Sequence, residues 1–177
     1  MVAFRRPPNL TNHLVRAEIK SSDKPDKGFK LCLRTGCKTC QFSAATKEIT
    51  SFSTGKSYQI NFNLNCNSDH VIYLISCKKC GIQYVGKTEN SLKTRFTGHR
   101  FDVNHDTDKQ IGRHFNSTNH SLNDIIIVAF DQLPNADTFK MRNKETFWMK
   151  ILGTIEPKGL NLHDQANFPI GRYLQLP

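Results

Sequence analysis

No run of 18 apolar residues occurs anywhere in the chain, which excludes a membrane-spanning helix from its reading. The start, Met-Val-Ala-Phe-Arg-Arg-Pro-Pro, lacks the apolar core of a secretory signal. The expectation is a protein that is neither secreted nor membrane-bound and resides in a reducing compartment, nucleus or cytoplasm. Acidic residues are also scarce: 15 Asp and Glu stand against 25 Lys and Arg, a formal net charge of +10. The imbalance is concentrated, since residues 1–65 carry 11 basic and 4 acidic side chains and residues 66–177 carry 14 and 11. Such a chain suits a polyanion, because each phosphate neutralised releases counterions. Charge alone equally describes a basic soluble protein. Finally, 177 residues with 37% hydrophobic content allow one domain with its own core and an appendage, but hardly two full domains.

What is present begins with six cysteines, which in a reducing compartment read as metal ligands or free thiols before disulfides. Cys32, Cys37 and Cys40 have the spacing that gathers three thiolates round one ion, and the Thr-Gly-Cys-Lys-Thr-Cys segment supplies the turn. No fourth ligand lies nearby, so Cys66 closes this set by elimination. Cys77-Lys-Lys-Cys80-Gly sits between two predicted strands, Val71 to Ser76 and Ile82 to Val85, as the tip of a hairpin. That is knuckle geometry for zinc, with glycine tolerating the positive φ of the turn. A redox Cys-x-x-Cys is the rival, but it normally opens a helix. His114 and His120 are the available partners. One or two structural Zn2+ ions are expected.

Residues 1–30, with three prolines and scattered charge, read as an arm holding at most a brief amphipathic stretch around Leu10 to Ile19. Residues 41–65 read as irregular structure with a weak strand around Tyr58 to Leu64. Ser91 can cap a helix whose apolar positions include Leu92, Phe96 and Val103, with Arg95 and His99 four apart on one side. A solvated basic helix face accounts for that pair equally well when taken alone. Asp108 to Asn116 is a second short helix, and Ile125 to Phe130 a buried third strand. A last helix starts near Asp137, runs to Leu152 and ends at Gly153. Glu145 falls in line with its apolar stripe of Met141, Trp148, Met149 and Leu152, where a carboxylate needs a cation: an arginine such as Arg95 or Arg142, or a bound metal. Gly159-Leu-Asn161-Leu is a tight turn.

These positions together resemble the GIY-YIG nuclease family. An apolar strand ends in Tyr73, Tyr84 follows 11 residues later with Gly86 two further on, a helix carries Arg95 and His99, a distant helix carries Glu145, and a turn carries Asn161. Cysteines between the two tyrosines, later histidines and the upstream Cys-x4-Cys-x2-Cys look specifically like the endonuclease domain of Penelope-like retroelements. The likeness covers about residues 66–165, and Pro-Asn-Leu-x-x-x-Leu-Val-Arg-Ala is similar to the segment preceding that domain. Val71 and Val85 depart from the motifs' Gly and Ile without removing a reacting group.

The resemblance implies an α/β (α+β) fold, a small three-stranded, mainly antiparallel sheet flanked by helices and carrying zinc knuckles. It implies an arm over 1–30, a Cys-rich zinc segment over 31–66, a nuclease domain over 67–165 and a tail over 166–177. Implied too is a DNA endonuclease using Mg2+ (or Mn2+) held at Glu145, leaving a 3′ hydroxyl for target-primed reverse transcription. Tyr73 is then the general base, with His99 an equal candidate, and Arg95 clamps the phosphate. Tyr84, His99 and Asn161 orient water, position the phosphate or buttress the strands, and Lys87 and Arg100 join Arg95 as DNA contacts. The chain is too short to include a reverse transcriptase, so a longer parent polypeptide or a domesticated copy is expected. The alternative is a zinc-stabilised nucleic-acid-binding module that has lost cutting.

Overall fold

The computed structural model describes residues 26–163, and the predicted arm up to residue 25, with its Leu10–Ile19 stretch, and the tail over 166–177 lie outside the described residues. Four short strands come first: β1 (Gly28–Phe29), β2 (Glu48–Thr50), β3 (Ser57–Gln59) and β4 (Asn63–Leu64). β5 (Val71–Cys77) and β6 (Gln83–Thr88) form the hairpin, α1 (Leu92–Asn104) and α2 (Gln110–Phe115) follow, and β7 (Ile125–Gln132) and α3 (Thr138–Leu152) complete the order.

The main sheet has three strands in the order β6-β5-β7, all antiparallel, with β5 at its centre. That placement follows from composition. Val-Ile-Tyr-Leu-Ile is apolar or aromatic throughout, β-branched at three of its five positions, and buried on both faces, as a central strand is. The fold is therefore mixed α/β with a three-stranded antiparallel sheet, as expected. β6 runs farther than Ile82–Val85: Gly86, Lys87 and Thr88 pair with Tyr73, Ile72 and Val71. β7 likewise continues two residues past Phe130. Between Ile72 and Tyr73 its register slips, opposing Ile72 to Asp131 and Tyr73 to Ala129, so Phe130 is the extra residue of a bulge.

Helix ends follow local chemistry. Ser91 accepts from Thr94 N at the start of α1, and Asp137 accepts from Lys140 N at the start of α3. Gly153 ends α3 at φ 61°, and a Cβ there would also press on the Ser53 hydroxyl. α1 buries Leu92, Phe96, His99, Asp102 and Val103.

The segment before Cys66 shares this core. β1 pairs in parallel with β4, β2 pairs antiparallel with β3, and Phe29, Ile49, Ile60 and Leu64 are buried in one cluster with β5 and α3. Phe42 packs on Phe96 with centroids 5.3 Å apart, and Ser51 Oγ donates to Leu152 O at 2.7 Å. Gln83 ties the two parts together, accepting from Phe52 N and donating to Thr50 O, both at 2.9 Å. No helix among the described residues is long and apolar enough to cross a membrane.

Candidate active site

Tyr73 stands at the middle of β5, and Gly86 is its cross-strand partner on β6. A Cβ on residue 86 would run into the hydroxyl and ring of Tyr73 and come within 2.9 Å of the Tyr84 ring, so glycine lets the Tyr73 ring lie across the neighbouring strand. α1 then closes over this ring. His99 Nε2 lies 2.8 Å from the Tyr73 hydroxyl, and Arg95 Nε donates to the same oxygen at 2.9 Å. The i, i+4 relation between Arg95 and His99 puts both beside that single atom. Tyr84 meets the His99 ring edge-on at 6.0 Å, as Tyr73 does at 5.6 Å.

The cluster is dry. Tyr73 is fully enclosed, His99 is 3% exposed and Tyr84 8%. Burial pushes the Tyr73 hydroxyl well above the usual phenol range, with Tyr84 adding to it and Arg95 opposing. Burial also raises Tyr84 to about 12, with the Glu145 charge assisting. His99 moves the other way, down to about 3, because its enclosed ring resists charging and Arg95 repels a second cation. At neutral pH His99 is therefore a neutral imidazole facing a protonated phenol. Its Nδ1 is buried without a hydrogen-bond partner.

α3 brings Glu145 to the other side of β6, where Oε1 accepts from the Lys87 backbone amide at 3.0 Å. Burial raises its carboxyl, and the Lys87 and Arg95 charges pull it back. The expected cation beside Glu145 is thus supplied in part by protein groups, while Oε2 takes no partner among the described residues. One open carboxylate oxygen suits a hard divalent ion, which keeps several waters and needs few protein ligands. The Lys87 side chain points elsewhere, pairing with Glu89 at 3.4 Å.

Asn161 is fully buried and spans the free edge of β6. Its Oδ1 accepts from Val85 N at 2.9 Å and from Thr154 Oγ1 at 2.7 Å, and its Nδ2 donates to Val85 O at 2.8 Å. These bonds replace a missing neighbouring strand, which is the buttressing option among its expected roles. Arg100 falls apart from the cluster: it lines a cleft with Lys93 and the first cysteine set.

Each cysteine set comes together. Cys32, Cys37, Cys40 and Cys66 form one group and Cys77, Cys80, His114 and His120 the other, each with its ligand atoms within 4.8 Å of one another. Both donor sets fit a four-coordinate zinc. In the second, His120 Nε2 is buried with no hydrogen-bond partner, an orphaned nitrogen facing two thiols and His114. Its Nδ1 lies 3.3 Å from Ser117 Oγ, which orients the ring. Gly81 makes the knuckle turn at φ 79°, with its amide donating to Cys77 O at 2.9 Å.

Two contributors, the Lys87 amide and Asp102, escaped sequence reasoning, and a third, Gly86, is legible there only as a motif position without its role. The Lys87 amide acts through the backbone and leaves no side-chain signal. Gly86 matters through the ring lying across it. Asp102, buried three residues after His99 and paired with Lys109 at 2.8 Å, favours a charged His99; its i+3 spacing from the histidine was the available clue.

Two tyrosines, a histidine, an arginine and a carboxylate from a separate helix are thus gathered on one small antiparallel sheet. The family model for the GIY-YIG catalytic domain matches residues 69–157, half of the chain, and the chain belongs to the GIY-YIG nuclease family, whose substrate is DNA. Comparison with curated proteins and with solved structures returns no match.

Proposed function

We propose that the protein is an active, divalent-metal-dependent DNA endonuclease that hydrolyses a phosphodiester to leave a 3′ hydroxyl, with Mg2+ (or Mn2+) held at Glu145. The observation that carries this reading is the hydrogen-bonded row Arg95–Tyr73–His99, set across Gly86, with Glu145 near enough for its charge to act on Tyr73 and Arg95. When bound, the ion supplies Lewis-acid stabilisation of charge on the scissile phosphate and the leaving 3′ oxygen.

The row lets Tyr73 act as a base without a lowered pKa. Its oxygen takes a proton from the attacking water while its own proton passes to His99 Nε2, so no free phenolate forms. The new oxygen–phosphorus bond forms as the bond to the 3′ oxygen breaks, and the departing 3′ oxygen takes a proton from solvent to become the hydroxyl. Tyr73 and His99, rivals for the base in the sequence, are then successive carriers of one proton. Asp102 favours the charge His99 gains but is outweighed by burial and Arg95, so the transfer depends on the negative charge of the bound phosphate and on Arg95 turning to it. The exposed Arg95 covers the Tyr73 oxygen, and its planar fork matches phosphate geometry. Drawing Arg95 onto the substrate uncovers the base where water is needed.

The two cysteine sets take structural Zn2+ in this reading. The second pins the tip of the β5–β6 hairpin to α2 through His114 and to the segment after it through His120, and so fixes Tyr73 against Tyr84. The cysteine and histidine placement further suggests a Penelope-like retroelement, in which the 3′ hydroxyl primes a reverse transcriptase carried by a longer parent polypeptide.

The test is end-group analysis of nicked plasmid. Direct extension of the nick by a polymerase, without phosphatase treatment, is the expected result. Ends that extend only after phosphatase treatment contradict the polarity. If wild type nicks no better than Glu145→Ala, the non-cutting nucleic-acid-binding module replaces this reading.

A further inference from the structure

α1 has a second flank. Lys93 and Arg95 are two residues apart, about 200° around the helix, so they leave it on opposite sides. Arg95 reaches Tyr73. Lys93, Thr97 and Arg100 instead line a cleft of about 420 Å3 whose far wall is the Arg34-Thr35-Gly36-Cys37-Lys38 turn of the first cysteine set.

Four cations, Arg34, Lys38, Lys93 and Arg100, line this cleft, and no carboxylate does. Elsewhere several exposed cations have acidic partners, Lys47 with Asp26, Lys109 with Asp102, Arg113 with Asp108 and Lys140 with Asp137, while others such as Lys56, Lys150 and Lys158 stand singly rather than facing one another across a cleft. Among the described residues none of the four cleft cations forms an ion pair. Lys93 Nζ donates to Asn67 Oδ1 at 2.9 Å, and Arg100 Nε is buried with no hydrogen-bond partner. A buried donor on a permanent cation, left unsatisfied, is costly unless a ligand completes it. The neighbouring thiolates do not account for the cations. Four thiolates and one zinc together carry −2, which leaves the cleft at +2.

The helix face between the two basic flanks is uncharged. Thr94, Thr97 and Gly98 are exposed there, and a Cβ on Gly98 would meet nothing within 4 Å. A backbone can cross this face closely. The crossing is about one helix diameter, ~10–12 Å, which along the duplex axis corresponds to about three base-pair steps at ~3.4 Å each.

We propose that this cleft is a second phosphate-binding site, which holds the backbone of the DNA duplex a few nucleotides from the scissile bond. Lys93 and Arg100 take phosphates from the α1 side, and Arg34 and Lys38 from the turn of the first cysteine set. That cysteine set is then a DNA-positioning element as well as a scaffold. The inference rests on the DNA-binding part of the proposed function and not on cleavage.

The experiment is fluorescence anisotropy with a labelled 30-base-pair duplex, in Mg2+-free buffer across a series of salt concentrations. Changing all four cleft cations to Ala is expected to lower the slope of log K against log salt by about 3 to 4, from ~0.9 per phosphate contact. The control pair Lys140→Ala and Lys150→Ala, exposed on α3, leaves the slope unchanged. Zinc content and thermal transition are checked on each variant. If the fourfold variant does not fold, the pairs Arg34→Ala/Lys38→Ala and Lys93→Ala/Arg100→Ala carry the test, each losing about 2. A fourfold variant whose slope falls no more than the control's overturns the inference. A wild type that binds with the expected slope yet fails to nick plasmid keeps the cleft and removes the nuclease.

Discussion

Replacing Gly86 by Ala adds one methyl group at the most confined position of the site. The new Cβ meets the Tyr73 hydroxyl and ring carbon and lies 2.9 Å from Tyr84 Cε1. Every neighbour belongs to a buried ring, so none can yield by rotating into solvent. Overpacking of this kind costs about 1–3 kcal/mol. For a domain of this size that lowers Tm by about 2–12 °C. Activity suffers more than stability, because the displaced atom is the Tyr73 oxygen that Arg95 and His99 hold at 2.9 and 2.8 Å. A shift of about 1 Å at a reacting group reduces rate roughly 100-fold. The assay pairs thermal denaturation with single-turnover nicking of plasmid. The variant is made again in a Tyr73→Phe background, where the hydroxyl is gone and the stability penalty of Gly86→Ala is expected to shrink by about 0.5 kcal/mol or more. A Gly86→Ala protein with unchanged Tm and unchanged nicking would refute the reasoning that this glycine exists to let the tyrosine lie across β6.

Three other variants probe separate parts of the account. His99 is neutral in the fold down to about pH 3, whereas an unfolded histidine gains its proton near 6.5, so this group costs stability as pH falls between those values. At pH 4.5 the cost is about 2.7 kcal/mol, from ~1.36 kcal/mol per unit; His99→Leu should lose less stability between pH 7 and 4.5 than wild type, and an equal loss contradicts the buried neutral imidazole. Asn161→Ala leaves the Val85 amide and carbonyl unpaired in a buried place and should lower stability by about 2–4 kcal/mol by urea denaturation; a change under about 1 kcal/mol means that water replaces the side chain. Metal analysis should find two zincs per chain, and one in Cys77→Ser; absence of zinc from freshly purified protein sinks both sites.

Features fixed by neighbours in sequence were legible before any coordinates. α3 begins after Asp137 and stops at Gly153 because cap and left-handed glycine are local chemistry. β5 was legible because a continuous apolar run rich in β-branched residues, closed by a cysteine turn, has few alternatives. Features fixed by register were not. Nothing in Tyr-Val-Gly tells that Gly86 faces Tyr73, since the pairing depends on the length of the Cys77–Ile82 turn. β2 has no alternating run of useful length and is held by Gln83 and the core below it. Arg100 looked like a companion of Arg95, but five helical residues turn it about 140° away, onto the flank of the cysteine set. Glu145 was identifiable as an inward carboxylate, while its partner, a backbone amide of β6, could come only from the packing of α3 on that strand.

The central claim is that an open carboxylate on α3 and the Arg95–Tyr73–His99 row together cut DNA. Its most direct measurement is the initial rate of supercoiled-plasmid nicking in Mg2+ for wild type, Glu145→Ala and Tyr73→Phe. The account predicts nicking by wild type that depends on Mg2+ and falls by at least about 100-fold in each variant, in line with losing a base or an electrostatic stabiliser. A wild-type rate no higher than that of Glu145→Ala, with both proteins folded and loaded with zinc, would contradict it.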